Sequence, residues 1–112
     1  MEFIVLGYDG ADEGAAERRL AVRDAHLRGA RAGFEAGTWR YAAGILDDEG
    51  RTIGSMIVCD FPSRQDLEDQ WLAKEPYVLG SVWHEIRIHR AWVAPFRPSR
   101  AHVAPGNDTP GQ

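Results

Sequence analysis

A histidine, His26, sits late in the first amphipathic segment, within Val22-Arg23-Asp24-Ala25-His26-Leu27. Far downstream stands Lys74-Glu75-Pro76-Tyr77-Val78-Leu79-Gly80. An imidazole and a carboxylate are the minimum pair for moving a proton near neutral pH. Only a fold can bring two segments so far apart together. On a helix, Val22 and Ala30 lie one turn to either side of His26, and Arg23 lies three residues back, so His26 borders the sheet-facing side. It reads either as a proton shuttle or as a histidine satisfied at the core edge. Glu75 precedes Pro76, where the chain must leave a helix. It either orients the imidazole or is a solvated helix-end charge.

Four more residues have suitable chemistry. Asp60 is a second carboxylate, at the end of the third strand-like run. Ser55 and Tyr77 carry hydroxyls that can hold a polar substrate group. Arg23 can bind a carboxylate or phenolate through its fork. Each also has a plain reading as a strand hydroxyl, a packed ring or a surface charge. His84 and His89 fall on opposite faces of one strand, His102 lies near the C-terminus, and Cys59 is the only cysteine. No metal site is expected from that set. No G-x-S-x-G elbow, P-loop or G-x-G-x-x-G is present, and no cofactor is expected.

These residues belong to a chain of 112 residues, 44% hydrophobic, which suits one domain with one core. The net charge of −4 argues against nucleic-acid binding. Cys59 lies in the apolar run Met56-Ile57-Val58-Cys59 and reads as a buried small hydrophobe. The N-terminal run Phe3 to Leu6 lacks a basic flank and is too short for a signal segment or a membrane span. A cytoplasmic protein with no membrane association is the expectation.

Glu2 to Tyr8 reads as a buried strand, closed by Asp9-Gly10. Ala11 to Glu35 reads as a helix with Leu20, Leu27 and Phe34 on its inner face and Asp9 or Asp12 as its cap. Trp39 to Leu46 and Thr52 to Phe61 flank Asp47-Asp48-Glu49-Gly50, a hairpin signal. A second helix starts after Ser63, with Leu67, Trp71 and Leu72 inward. Val82 to Ala94 is the last strand; alternation places Trp83 opposite Ile86 and Ile88. The segment 97–112 is rich in Pro, Gly and Ser and is expected to be mobile. The order β-α-β-β-α-β is the split βαβ arrangement of ferredoxin-like α+β folds.

This order, with Arg23-Asp24-Ala25-His26, Gly54-Ser55-Met56-Ile57-Val58 and Glu75-Pro76-Tyr77-Val78 at their spacings, resembles the YciI-like family, the YCII-related domain. The likeness runs from Glu2 to about Phe96. It implies a dimeric α+β barrel in which two sheets pack face to face, with a site built on the helix histidine and an acidic residue. Relatives in that superfold include muconolactone isomerases and small monooxygenases. The acidic-Pro-Tyr motif of the family commonly carries Asp, where this chain has Glu75. The expectation is a homodimer of one domain, 1–96, with a tail at 97–112. It is expected to act as a cofactor-free lyase or isomerase on a small cyclic or phenolic metabolite, with His26 and Glu75 catalytic and Arg23, Ser55, Tyr77 and Asp60 binding substrate. The alternative is a non-catalytic dimeric domain that binds a small molecule in the same cleft.

Overall fold

A computed structural model describes residues 1–96. The tail from 97 to 112 lies outside the described residues, and with it the expectation of mobility there. The elements are β1 (Glu2–Asp9), α1 (Ala15–Ala36), β2 (Trp39–Leu46), β3 (Thr52–Asp60), α2 (Arg64–Asp66), α3 (Pro76–Leu79) and β4 (Trp83–Ala91). Between α2 and α3 the chain continues as a π-helical turn, Leu67–Trp71, and a 3-10 turn, Leu72–Lys74. The four strands form one sheet in the order β2-β3-β1-β4, and every neighbouring pair is antiparallel. This is the ferredoxin-like α+β arrangement expected from the element order.

Strand register sorts the side chains. Phe3, Val5 and Gly7 of β1 stand opposite Cys59, Ile57 and Ser55 of β3. All six are buried on the helix-covered face. Ile4, Leu6 and Tyr8 pair with Val58, Met56 and Gly54 on the other face, which no element among the described residues covers. The hairpin turns at Gly50, whose φ of 83° suits a residue without a side chain.

Two expectations about inward faces are corrected. The inward ridge of α1 is Arg19, His26 and Ala30, while Leu20 is 71% exposed and Phe34 is also exposed. The cause is the bulk that β2 and β4 place beneath the helix. A Cβ on Gly33 would lie 2.4 Å from Trp39, and one on Gly7 would lie 2.3 Å from Trp83. Two indoles fill the space under α1, so small and polar residues face them. The second correction concerns Trp83. The β1–β4 register shifts between Tyr8 and Asp9, which pairs Trp83 with Asp9. The shift brings Trp83 onto the same buried face as Ile86 and Ile88, against strict alternation.

The helix starts also divide. Ser63 caps α2 as expected, its Oγ accepting from Asp66 N at 3.0 Å. At α1 the cap is Gly14, with no side-chain bond. Asp12 instead accepts from Gly14 N and from Arg18, and Asp9 is engaged by Arg19. Among the described residues no helix is long and apolar enough to cross a membrane.

Candidate active site

The site assembles between α1 and the irregular α2–α3 segment, above the buried face of the sheet. Pro76 starts α3, and the preceding Glu75 is extended, with φ −67° and ψ 123°. Glu75 therefore serves as N-cap, and its Oε2 accepts from Tyr77 N at 2.9 Å. That cap aims the carboxylate at α1. His26 Nδ1 lies 2.8 Å from Glu75 Oε2. Trp71 Nε1 donates to Oε1 at 3.0 Å. The π-helical turn is what brings the Trp71 indole to Glu75, because it adds a residue to the helical repeat. His26 is 4% exposed and Glu75 2%.

Both oxygens of Glu75 accept from N–H donors, so it acts as an ionised acceptor and Nδ1 carries the hydrogen. That tautomer leaves Nε2 with the free lone pair. The imidazole stacks on Tyr77 with ring centroids 3.9 Å apart and planes 14° from parallel. Trp39 and Trp83 stand at 5.8 and 6.3 Å. Three aromatic rings thus hold the rotamer of the base.

A second charged pair lies on the other side of Tyr77. Arg19 holds Asp9 through two bonds, Nε to Oδ2 at 2.7 Å and Nη2 to Oδ1 at 2.9 Å. Its Nη2 also donates to Ser55 Oγ at 3.0 Å. The guanidinium carbon sits 4.4 Å from the Tyr77 ring centroid. Burial works against the charge of Arg19, but the bond and charge of Asp9 outweigh it and push the guanidinium above its ordinary value. Burial pushes the Tyr77 phenol up, against the opposing charge of Arg19. The Tyr77 hydroxyl and Trp83 Nε1 are buried without a hydrogen-bond partner among the described residues.

The fold thus brings His26, Glu75 and Tyr77 into contact and connects Ser55 to them through Arg19. Arg23 is half-buried one turn before His26, near enough for its charge to act on Tyr77. Asp60 is not brought to the site. It lies at the sheet margin, bonded to the Met1 ammonium at 3.1 Å and to Arg40 at 2.7 Å. The ammonium first, and Arg40 after it, hold its carboxyl below the ordinary value. An N-terminal amine has no signature in a side-chain pattern, so Asp60 read as unpaired. Arg19, Asp9, Trp71 and Trp83 were missed. The spacing of Arg19, Arg23, His26 and Ala30 follows one helical face and was the available signal for Arg19. Cys59 is fully buried, and burial pushes its thiol up to about 12. Among the described residues no group of three or more His, Cys, Asp or Glu could hold a metal ion.

A cleft of about 340 Å³ opens beside Glu75, between α1 and the α2–α3 segment. Its walls include Trp39, Trp71, Phe61 and Lys74.

Comparisons with known proteins agree with this fold. Residues 1–92 match the family model of the YCII-related domain. Among solved structures the chain is similar to the 5-chloro-2-hydroxyhydroquinone dehydrochlorinase from Burkholderia phenoliruptrix AC1100, in complex with 2,5-dihydroxybenzoquinone. The two share 18% identity with a TM-score of 0.66, over 84% of this chain and 96% of that one. That likeness establishes the fold. No curated protein matches the sequence.

Proposed function

Since the chain belongs to the YCII-related family, we propose that it is a cofactor-free lyase or isomerase acting on a small cyclic or phenolic metabolite. The observation that carries this reading is the His26 Nδ1 to Glu75 Oε2 contact of 2.8 Å. Glu75 fixes the tautomer, and Nε2 takes a proton from an acidic O–H or C–H of the substrate. The imidazolium that forms is stabilised by the carboxylate next to it. The electron pair released into the ring then expels a leaving group, or the proton returns at another carbon. No redox step is needed. The fold-level neighbour is named as a dehydrochlorinase; loss of a proton and a chloride is chemistry that one base can start.

Arg23, half-buried one turn before His26, is the binding group this reading uses beside the base, while Tyr77 is 0% exposed and stacks on the imidazole. Ser55 is already occupied by Arg19 and acts through it. The protein is proposed to work in the cytoplasm as a homodimer, joined through the open sheet face. A hollow of about 390 Å³ there is lined by Ile4, Tyr41, Val58 and Trp92, and Trp92 is 77% exposed. Burying that face would remove a sizeable apolar patch from water. Sedimentation should show a dimer at micromolar concentration; a stable monomer overturns that assignment.

The low exposure of His26 favours a second reading, a binding domain in which the dyad only braces the core. A panel of hydroxylated aromatics and lactones separates the two. The enzyme reading expects turnover of a panel member, reduced about 10²–10⁴-fold in His26→Gln. His26→Gln should also unfold as a two-state protein. Wild-type turnover by that folded variant removes His26 as the base, and binding without turnover across the panel supports the binding domain instead.

A further inference from the structure

The cleft beside Glu75 has an unusual chemical makeup. Trp39 and Trp71 meet edge to face at 5.3 Å, and Phe61 stacks on Trp71 at 6.3 Å. Opposite them α1 presents Gly29, Ala32 and Gly33, so no long side chain fills the gap. A Cβ on Gly29 would meet nothing within 4 Å. The one positive group on the rim is Lys74, the only lysine in the chain. Lys74 forms no salt bridge among the described residues. Glu75 is the one carboxylate in the lining, and it is engaged by His26, Trp71 and the Tyr77 backbone. Its oxygens are taken by these donors, so the Lys74 ammonium is the charged group of the lining left to meet a ligand.

We propose that this cleft is the binding pocket for a single planar aromatic ring carrying one anionic oxygen group, with the ring against Trp39 and Trp71 and the anion at Lys74. Its volume of about 340 Å³ lies at the small end of ligand sites, which suits one substituted ring. Aromatic faces supply stacking, and the ammonium supplies the charge that selects an anion over a neutral ring. The pocket shares Glu75 with the dyad, and its wall residue Trp39 is 5.8 Å from His26. The inference rests on the acid/base reading, since a ring held here is a substrate only if the dyad is the reactive centre.

The test uses 2,5-dihydroxybenzoate as the anionic ring, hydroquinone as its neutral counterpart and benzyltrimethylammonium as the cation. The single lysine allows reductive ¹³C-methylation, which keeps the charge and gives one lysine signal beside that of the N-terminus. Titration with 2,5-dihydroxybenzoate should move the Lys74 signal and the Trp71 indole N–H together. Lys74→Met should weaken the anion at least tenfold and leave hydroquinone unchanged. Gly29→Leu should fill the pocket and weaken both rings at least tenfold, while the melting temperature holds or rises because Leu is the better helix former. An anion that binds without moving the Lys74 signal, a cation that binds more tightly than the anion, or Gly29→Leu binding like wild type would each overturn the proposal. His26→Gln should keep full affinity for 2,5-dihydroxybenzoate. If it does, and turnover is also unaffected by that change, the pocket stands and the acid/base reading falls.

Discussion

Two buried acid–base pairs hang from one face of α1, and Tyr77 lies between them. Arg19 and Asp9 form one; His26 and Glu75 form the other. The first pair is 10 residues apart in sequence and the second 49, and both are nearly closed to water. They differ in what the cation can do. A guanidinium stays protonated, and its Nε and Nη2 donate to Asp9 and Ser55. An imidazole can take up or release a proton at a ring nitrogen, and the contact with Glu75 uses one nitrogen and leaves the other. The first pair therefore holds the fold together at the end of β1, and the second is equipped to exchange a proton. Burial and charge alone do not mark a reactive site; a partly used titrating group does.

The sharpest way to break this comparison is to cut the Arg19 pair. Asp9→Ala leaves a guanidinium buried with only Ser55 as a partner. Removing one member of a buried pair costs about 3–5 kcal/mol. Chemical denaturation should show that loss with a single transition, and ligand affinity at the Glu75 cleft should hold under conditions where the variant is folded. A loss below about 1 kcal/mol would show that Arg19 turns outward to water, and the two pairs would then not be equivalent in burial.

Much of this contrast was hidden in the sequence, for physical reasons. The strands, the hairpin at Asp47 to Gly50 and the Ser63 cap follow from local pattern and were legible. The dyad was legible only through the family resemblance: Glu75 before Pro76 reads equally as a solvated helix-end charge, and its capping of α3, which aims the carboxylate at α1, is seen only in the fold. The Arg19 pair was not legible. Arg19 reads as a solvated charge beside Leu20, until the indoles of Trp39 and Trp83 are known to lie beneath α1 and to demand small or polar neighbours. The Leu20, Leu27 and Phe34 spacing mimics an inner face, yet nothing in one helix says how bulky its sheet will be. Trp83 was placed on the wrong face because a register shift in β1 and β4 has no local sequence mark. Asp60 read as a site carboxylate because its partners are a chain terminus and Arg40 on another strand.

The next prediction concerns the tautomer at the dyad. Glu75→Gln keeps the size of the side chain and can still cap α3. Its amide, however, can donate to Nδ1, which would move the imidazole hydrogen to Nε2 and remove the base. On a turned-over panel substrate the rate should fall at least 10²-fold, with a stability loss of about 1–2 kcal/mol from the weakened bonds to Trp71 and Tyr77. Glu75→Asp retains the charge, and it is the residue the family motif commonly carries. It should keep the rate within about tenfold of wild type. Equal losses in both variants would mean that geometry, and not charge or tautomer, is what Glu75 supplies.

The smallest effect is expected at Tyr77, which touches both pairs. Its hydroxyl is buried without a partner among the described residues, so the folded state gains nothing from it at neutral pH. Tyr77→Phe keeps the stacked ring under His26 and should be as stable as wild type or more stable by up to about 1 kcal/mol. The difference should grow at alkaline pH. Burial raises the folded phenol above its ordinary value, with Arg19 opposing. A group whose pKa is raised in the folded state contributes stability that is complete below its unfolded value. That contribution is lost as pH rises through the folded value, because only the unfolded chain readily forms tyrosinate. Wild type should therefore lose stability above about pH 10 more steeply than Tyr77→Phe. Parallel denaturation curves from neutral pH to pH 11 read this directly. Curves that stay parallel would show that water or a substrate oxygen already reaches the hydroxyl. Tyr77 would then belong with the reactive pair and not with the structural one.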